Sequence, residues 1–122
     1  MPKKYFTDEE LSADFQPGSR RRVLRNRLDI ISKKEMDKKE FISLMRTQQH
    51  YYKVISRNTV FTAKLIIKMH RYFLGEIYDW AGKYRTVNLE RDGFRWPPAF
   101  LVEKNMKDFE VNILRRYTPC RP

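Results

Sequence analysis

The sequence predicts a small, mainly α-helical domain with one β-hairpin. Three segments repeat apolar side chains at steps of three or four residues, which is the period of an amphipathic helix. One short segment alternates β-branched and polar residues and precedes Asp92-Gly93, a dipeptide typical of tight hairpin turns. With 122 residues, 41% of them hydrophobic, the chain can bury one core without disulfides or metals.

Composition excludes several classes of protein. Cys120 is the single cysteine, which rules out an internal disulfide and a cysteine-based zinc site. His50 and His70 fall on different predicted helices without a carboxylate at ligand spacing, so we expect no metal site and interpret His70 as a packed, hydrogen-bonded side chain. No apolar run approaches the roughly 20 residues of a membrane span, and no signal peptide is evident. We therefore expect a cytoplasmic protein with no membrane partner.

The net charge of +11 favours acidic partners. Its one dense cluster lies within Arg20–Arg27. The cluster is compatible with a solvated surface, with an acidic protein partner, or with nucleic acid. Nucleic acid is the least favoured partner, because no helix-turn-helix or RNA-binding signature accompanies the charge.

The sequence divides into two regions, a polar N-terminal extension at 1–22 and the domain at 23–122. In the extension, Thr7–Glu10 has capping-box spacing, which is compatible with a short helix. Residues 23–31 are interpreted as a short helix and a turn. Ser32 and Glu35 form a better capping box and open the first long helix, which extends to about Ser56. Phe41, Leu44, Met45, Gln48, Tyr52 and Ile55 fall on one predicted apolar face.

Two further helices complete the helical part. Thr62 caps the second helix and Gly75 ends it, with Leu65, Ile66, Met69 and Phe73 on one stripe. A turn of helix at 76–81 stops at Gly82. The third helix starts at Pro98 and extends to about Arg116, with Val102, Met106, Phe109 and Ile113 on one face.

The predicted hairpin covers residues 84–96. Its first strand is Tyr84–Leu89 and its return strand is Phe94–Trp96. An exposed ribbon leaves one edge of N–H and C=O groups unpaired, and an extended segment of a partner can add to such an edge. Basic residues around the edge suit an acidic or phosphorylated ligand: Lys83, Arg85, Arg91 and Arg95. The alternative is a structural ribbon whose Val87, Phe94 and Trp96 merely cover the helices.

Several motifs together resemble the N-terminal half of Fic (Fido) domains. They are Met69–Gly75, Ile77–Gly82 (Ile-Tyr-Asp-Trp-Ala-Gly), Arg85–Asn88 (Arg-Thr-Val-Asn) and Gly93–Arg95. Val23–Ile30 also resembles the segment that often precedes the domain in bacterial members. The resemblance covers the chain from about residue 23 onward.

The resemblance implies a role for the hairpin as the flap that covers the nucleotide site and docks a target protein by strand addition. The flap residues would be Lys83, Arg85, Thr86, Val87, Asn88, Gly93, Phe94 and Arg95. Complete Fic domains usually transfer AMP from ATP, with Mg²⁺, to a hydroxyl side chain of the target. Their catalytic loop, His-x-Phe-x-(Asp/Glu)-Gly-Asn-Gly, is not present in these 122 residues.

The resemblance therefore implies the N-terminal portion of a Fic-type protein adenylyltransferase, which we expect to be inactive by itself and to have no catalytic residue or cofactor of its own. ATP and Mg²⁺ are implied only for a complete domain. Expected partners are a target protein, the C-terminal half, an antitoxin, or a second copy held by uncovered apolar residues such as Leu65, Phe109 and Ile113. A non-catalytic protein-binding module is the alternative function, and a basic nucleic-acid-binding protein is a less favoured one.

Overall fold

The computed structural model describes residues 6–7 and 15–120, and within them the protein is a small, mainly helical domain, as predicted. The long helices are α1 (Lys33–Val54) and α2 (Ala63–Leu74). Both predicted N-caps are confirmed, because Ser32 Oγ accepts the Glu35 N–H at 3.3 Å and Thr62 Oγ1 accepts the Leu65 N–H at 3.0 Å. No helix in the described part of the chain is long and apolar enough to cross a membrane.

A third helical segment follows Pro98 but changes its winding along its length. It opens with a 3₁₀ turn (Ala99–Leu101), continues as α3 (Val102–Phe109), widens into a π-helical turn (Glu110–Leu114) and ends as α4 (Arg115–Tyr117). At the π-helical turn, Glu110 Oε1 accepts the Ala63 N–H at 2.8 Å and Oε2 accepts from Arg115 at 3.2 Å. The carboxylate thereby ties this segment to the N-terminus of α2, where negative charge is favourable.

The predicted apolar face of α1 is not the face that the helix buries. Its buried residues are Met36, Ser43, Thr47 and Tyr51, whereas Phe41 is 61% exposed and Tyr52 is 89% exposed. Ser43 Oγ donates to Phe73 O on α2, and Thr47 Oγ1 donates to Ser43 O at 2.7 Å. Small hydroxyl side chains let the two helices approach closely, so the face against α2 is not the most apolar face of α1.

The core lies where residues 23–30 meet the start of α1, the end of α2 and the turns after α2. It comprises Val23, Ile30, Met36, Leu74, Ile77, Tyr78 and Ala81. The helix predicted within residues 23–31 is wrong, because these residues form turns and an isolated bridge pairs Phe15 with Leu24. Residues 76–81 likewise form successive turns rather than a helical turn.

Three short strands form a small antiparallel ladder in the order β1 (Phe6–Thr7), β2 (Leu89–Arg91) and β3 (Phe94–Arg95). β2 pairs with β3 at Glu90↔Arg95 and Arg91↔Phe94, and with β1 at Phe6↔Glu90 and Thr7↔Leu89. Asp92 and Gly93 between β2 and β3 have φ of 50° and 83°, the left-handed geometry that a tight hairpin turn requires.

Two expectations for this region are corrected. Residues 84–88 are irregular, so the predicted strand Tyr84–Leu89 is wrong except for Leu89. The edge of β2 expected to be unpaired is occupied by β1 of the same chain. Thr7 is therefore extended rather than a helix cap, and the rest of the helix considered at Thr7–Glu10 lies outside the described residues.

Candidate functional site

Arg85 and Asn88 fasten the base of the ribbon, meaning residues 84–96, to its own chain. Arg85 Nη1 donates to Val87 O at 2.7 Å, and Arg85 Nη2 donates to Pro97 O beyond β3. Asn88 Oδ1 accepts the Ala99 N–H at 2.7 Å and so caps the third helical segment. Both residues were predicted to bind a ligand, and in the structure they hold the two arms of the ribbon together.

The other predicted flap residues lie before, between and after Arg85 and Asn88. Lys83, before Arg85, and Thr86, between Arg85 and Asn88, are exposed, while Val87 is half-buried. Gly93, Phe94 and Arg95 are exposed at the tip and on β3, and the Phe94 ring meets the Trp96 ring edge-on at 4.9 Å. The structure thus groups the tip residues and separates them from Lys83. The side chain of Arg91 lies outside the part of the chain that the structure describes.

The turn before the ribbon is fixed to α2 through Gly82. The Gly82 N–H donates to His70 Nδ1 at 2.9 Å, and the His70 and Trp80 ring centroids are 5.9 Å apart. The prediction that His70 is a packed, hydrogen-bonded histidine is confirmed. Burial lowers the pKa of His70 from its ordinary value of 6.5, and the contact with Gly82 requires an unprotonated Nδ1.

The histidine makes stability depend on pH. Because its folded pKa lies below its unfolded pKa, the unfolded chain binds the proton more readily, and the contribution of His70 is complete above pH 6.5 and decreases as the pH falls below it. We expect the melting temperature to fall between about pH 7.5 and about pH 5. His70→Asn, which keeps an acceptor but does not titrate, should flatten this fall. An equally steep fall in the variant would contradict the assignment to His70.

A second set of contacts fixes the same turn to α1 and to the N-terminal segment. The Tyr78 hydroxyl donates to Glu40 Oε1 at 2.5 Å, and burial together with Glu40 raises the pKa of Tyr78 well above its usual range. Tyr78 also stacks on Trp80 at 4.5 Å. Arg27, at the end of the arginine cluster, pairs with Asp79 at 2.5 Å. Residues 78–82 are therefore bound to α1, to α2 and to the arginine-rich segment.

The sequence analysis did not identify Asn26, which organises the arginine-rich segment. Its Nδ2 donates to Leu24 O and Ile30 O, both at 3.0 Å, and its Oδ1 accepts from the Leu28 and Ile30 N–H groups at 3.1 and 3.0 Å. Asn26 is buried while Arg25 and Arg27 beside it are exposed. An uncharged residue inside a run of arginines was the available signal for a structural role.

Potential metal ligands do not cluster among the residues that the structure describes. No group of three or more His, Cys, Asp or Glu side chains lies close enough there to hold a metal ion. The helices begin at Ser32, Thr62 and Pro98, without the glycine-rich turn that cradles phosphates. No protein-family model and no curated protein matches this chain.

Proposed function

We propose that this chain is the target-docking N-terminal portion of a Fic-type protein adenylyltransferase. Its own task would be to hold an extended segment of the target by strand addition. The observation that carries the proposal is the anchored ribbon, which begins within the Trp80-Ala-Gly-Lys-Tyr-Arg85 sequence on which the family resemblance rests.

Preorganisation supports a docking role. Arg85 joins both arms of the ribbon, Asn88 caps the next helical segment, and the Gly82–His70 bond secures the preceding turn. A surface fixed before binding loses little conformational entropy when a partner arrives. The exposed tip at Gly93–Arg95 leaves room for that partner.

The pairing of β1 with β2 supports strand addition as the mode of docking, because an extended segment from a distant part of the chain already uses this edge. A target segment would either displace β1 or add to the outer edge of β3. Main-chain hydrogen bonds would supply most of the affinity in both cases.

Chemistry would come from residues that are not among these 122. A histidine base, an acidic Mg²⁺ ligand and a glycine-rich turn for the phosphates of ATP would complete the domain. The docking role alone describes the alternative, a non-catalytic protein-binding module. Its contacts to the target would be the same, and AMP transfer would be absent under all conditions.

The test uses a biotinylated peptide that copies residues 3–11 of this chain, which include β1. A full-length variant with Phe6→Pro and Thr7→Pro cannot form the β1 ladder, because proline lacks the N–H donor. We expect this variant to retain at least about tenfold more peptide than the natural chain, whose own β1 competes for the edge. Capture on streptavidin beads measures the difference.

Two controls separate docking from chemistry. A peptide with proline at the positions equivalent to Phe6 and Thr7 should not be retained, and equal retention of both peptides would contradict strand addition. In parallel, the chain with labelled ATP and Mg²⁺ is expected to label no protein. Adding the C-terminal portion of an active Fic-type enzyme, from its catalytic loop onward, tests the family assignment through restored labelling.

A further inference from the structure

An open apolar groove lies along α1 and α2, and its lining includes Leu44, Gln48, Tyr52 and Ile55 of the predicted apolar face of α1. Its volume is about 1220 Å³. The walls include Leu44, Tyr52 and Ile55 from α1 and its end, together with Phe61, Met69 and Phe73 from the α2 side. Tyr52 is 89% exposed, so a large aromatic side chain stands at the rim without cover.

Among the described residues, the groove lining contains one positively charged side chain and no carboxylate. Between Phe41 and Gly75 the sequence contains no aspartate or glutamate and six basic residues, of which Arg57 alone lines the groove and Arg46 pairs with Glu76 at 3.4 Å. Arg57 is the one Lys, Arg, Asp or Glu among the described residues that line the groove. It lies in the loop between the helices and forms no ion pair with any residue that the structure describes.

We propose that this groove binds an amphipathic helix of a partner protein, with acidic side chains placed to meet Arg57. The groove wall from Leu44 to Ile55 follows a helical rise of about 17 Å, which matches about three turns of a partner helix. Such a helix would insert apolar side chains at i, i+3 or i+4 and i+7 between the walls. A carboxylate at the loop end would pair with the guanidinium.

A dimer of this chain fits the positive charge of the groove less well than an acidic helix does. A second copy of this chain would bring another net charge of +11 against the first, and like charges repel. The groove is distinct from the ribbon, so this proposal stands or falls independently of strand addition.

The probe is a synthetic amphipathic helical peptide of about 14 residues, with leucines on one face and glutamates on the other. Titration of the full-length chain, followed by backbone amide chemical shifts, should map binding to residues around Leu44, Tyr52 and Met69. A twin peptide with lysine in place of glutamate should bind at least about tenfold more weakly. Equal binding of the twins, or shifts confined to other surfaces, would overturn the proposal.

Matched variants locate the effect. Tyr52→Glu puts a carboxylate on the rim at an exposed position and should lower the affinity for the acidic peptide by about tenfold or more, with the melting temperature little changed. Arg57→Glu should remove the preference for the acidic peptide. Lys53→Glu makes the same change of charge at an α1 position outside the groove lining and should preserve the preference. If the Arg57 and Lys53 variants lose the preference for the acidic peptide equally, the preference depends on net charge alone and the proposed binding in the groove is contradicted.

Two further measurements test a second copy of this chain and a membrane as occupants of the groove. Sedimentation equilibrium should show a monomer at the concentrations of the titration, and a dimer that Tyr52→Glu dissociates would assign the groove to a second copy. Flotation with anionic phosphatidylserine vesicles should show no dependence on Tyr52. A dependence there would assign the surface to a membrane.

Discussion

Asn26→Ala is expected to lower the free energy of unfolding by roughly 3 kcal/mol. The asparagine makes four hydrogen bonds to backbone groups of Leu24, Leu28 and Ile30, and all four are buried or partly buried. Alanine would leave donors and acceptors unpaired next to Val23 and Ile30, both of which are core residues. Chemical denaturation followed by circular dichroism measures the loss.

The matched variants are Asn26→Asp and Asn58→Ala. Aspartate can still accept from Leu28 and Ile30 but cannot donate to the two carbonyls, so an intermediate loss is expected. Asn58 is exposed, and its truncation should change the free energy of unfolding by less than about 0.5 kcal/mol. If Asn26→Ala and Asn58→Ala cost the same, the structural role of Asn26 would be refuted.

Gly82→Ala is expected to destabilise the protein by roughly 3 kcal/mol, through left-handed backbone strain and a steric clash. Gly82 has a φ of +77°, and an added Cβ would lie 2.7 Å from both Cβ and Nε of Arg71. The Arg71 Cβ belongs to α2 and cannot move without the helix. Because Gly82 N–H also binds His70, the variant should disturb the whole turn before the ribbon.

Gly93→Ala separates the effect of backbone strain from that of the steric clash. Gly93 has a φ of +83°, but an added Cβ there meets nothing within 4 Å. Its loss should therefore be limited to backbone strain of about 1–2 kcal/mol. The difference between the two variants, measured by thermal and chemical denaturation, isolates the clash with Arg71. A difference near zero would show that α2 and the turn are not rigidly packed.

Local capping chemistry could be predicted from the sequence, whereas tertiary contacts could not. Ser32 and Thr62 predict helix starts because the oxygen of a short side chain accepts an N–H group of the first turn. This hydrogen bond depends only on residues close in sequence. The buried face of α1 depends on how closely α2 approaches. Ser43 and Thr47 permit that approach through small size and internal hydrogen bonds, so a hydrophobicity pattern selected the wrong stripe.

The candidate site shows the same division. Asp92-Gly93 predicted the tight turn between β2 and β3, since both residues tolerate positive φ. The sequence pattern for a strand at 84–88 failed because side chains intervene: Arg85 binds Val87 O, and Asn88 is engaged with Ala99. The pairing of β1 with β2 joins remote segments through backbone groups, which side-chain identity does not encode.

That pairing also sets an order of events during synthesis. Thr7 leaves the ribosome early, but its partner Leu89 follows more than eighty positions later. Closing so long a loop has a large entropic cost, which the completed domain must offset. The N-terminal strand would therefore join the ladder last, after α1 and α2 have packed, and in a newly made chain the β2 edge would be open to other extended segments first.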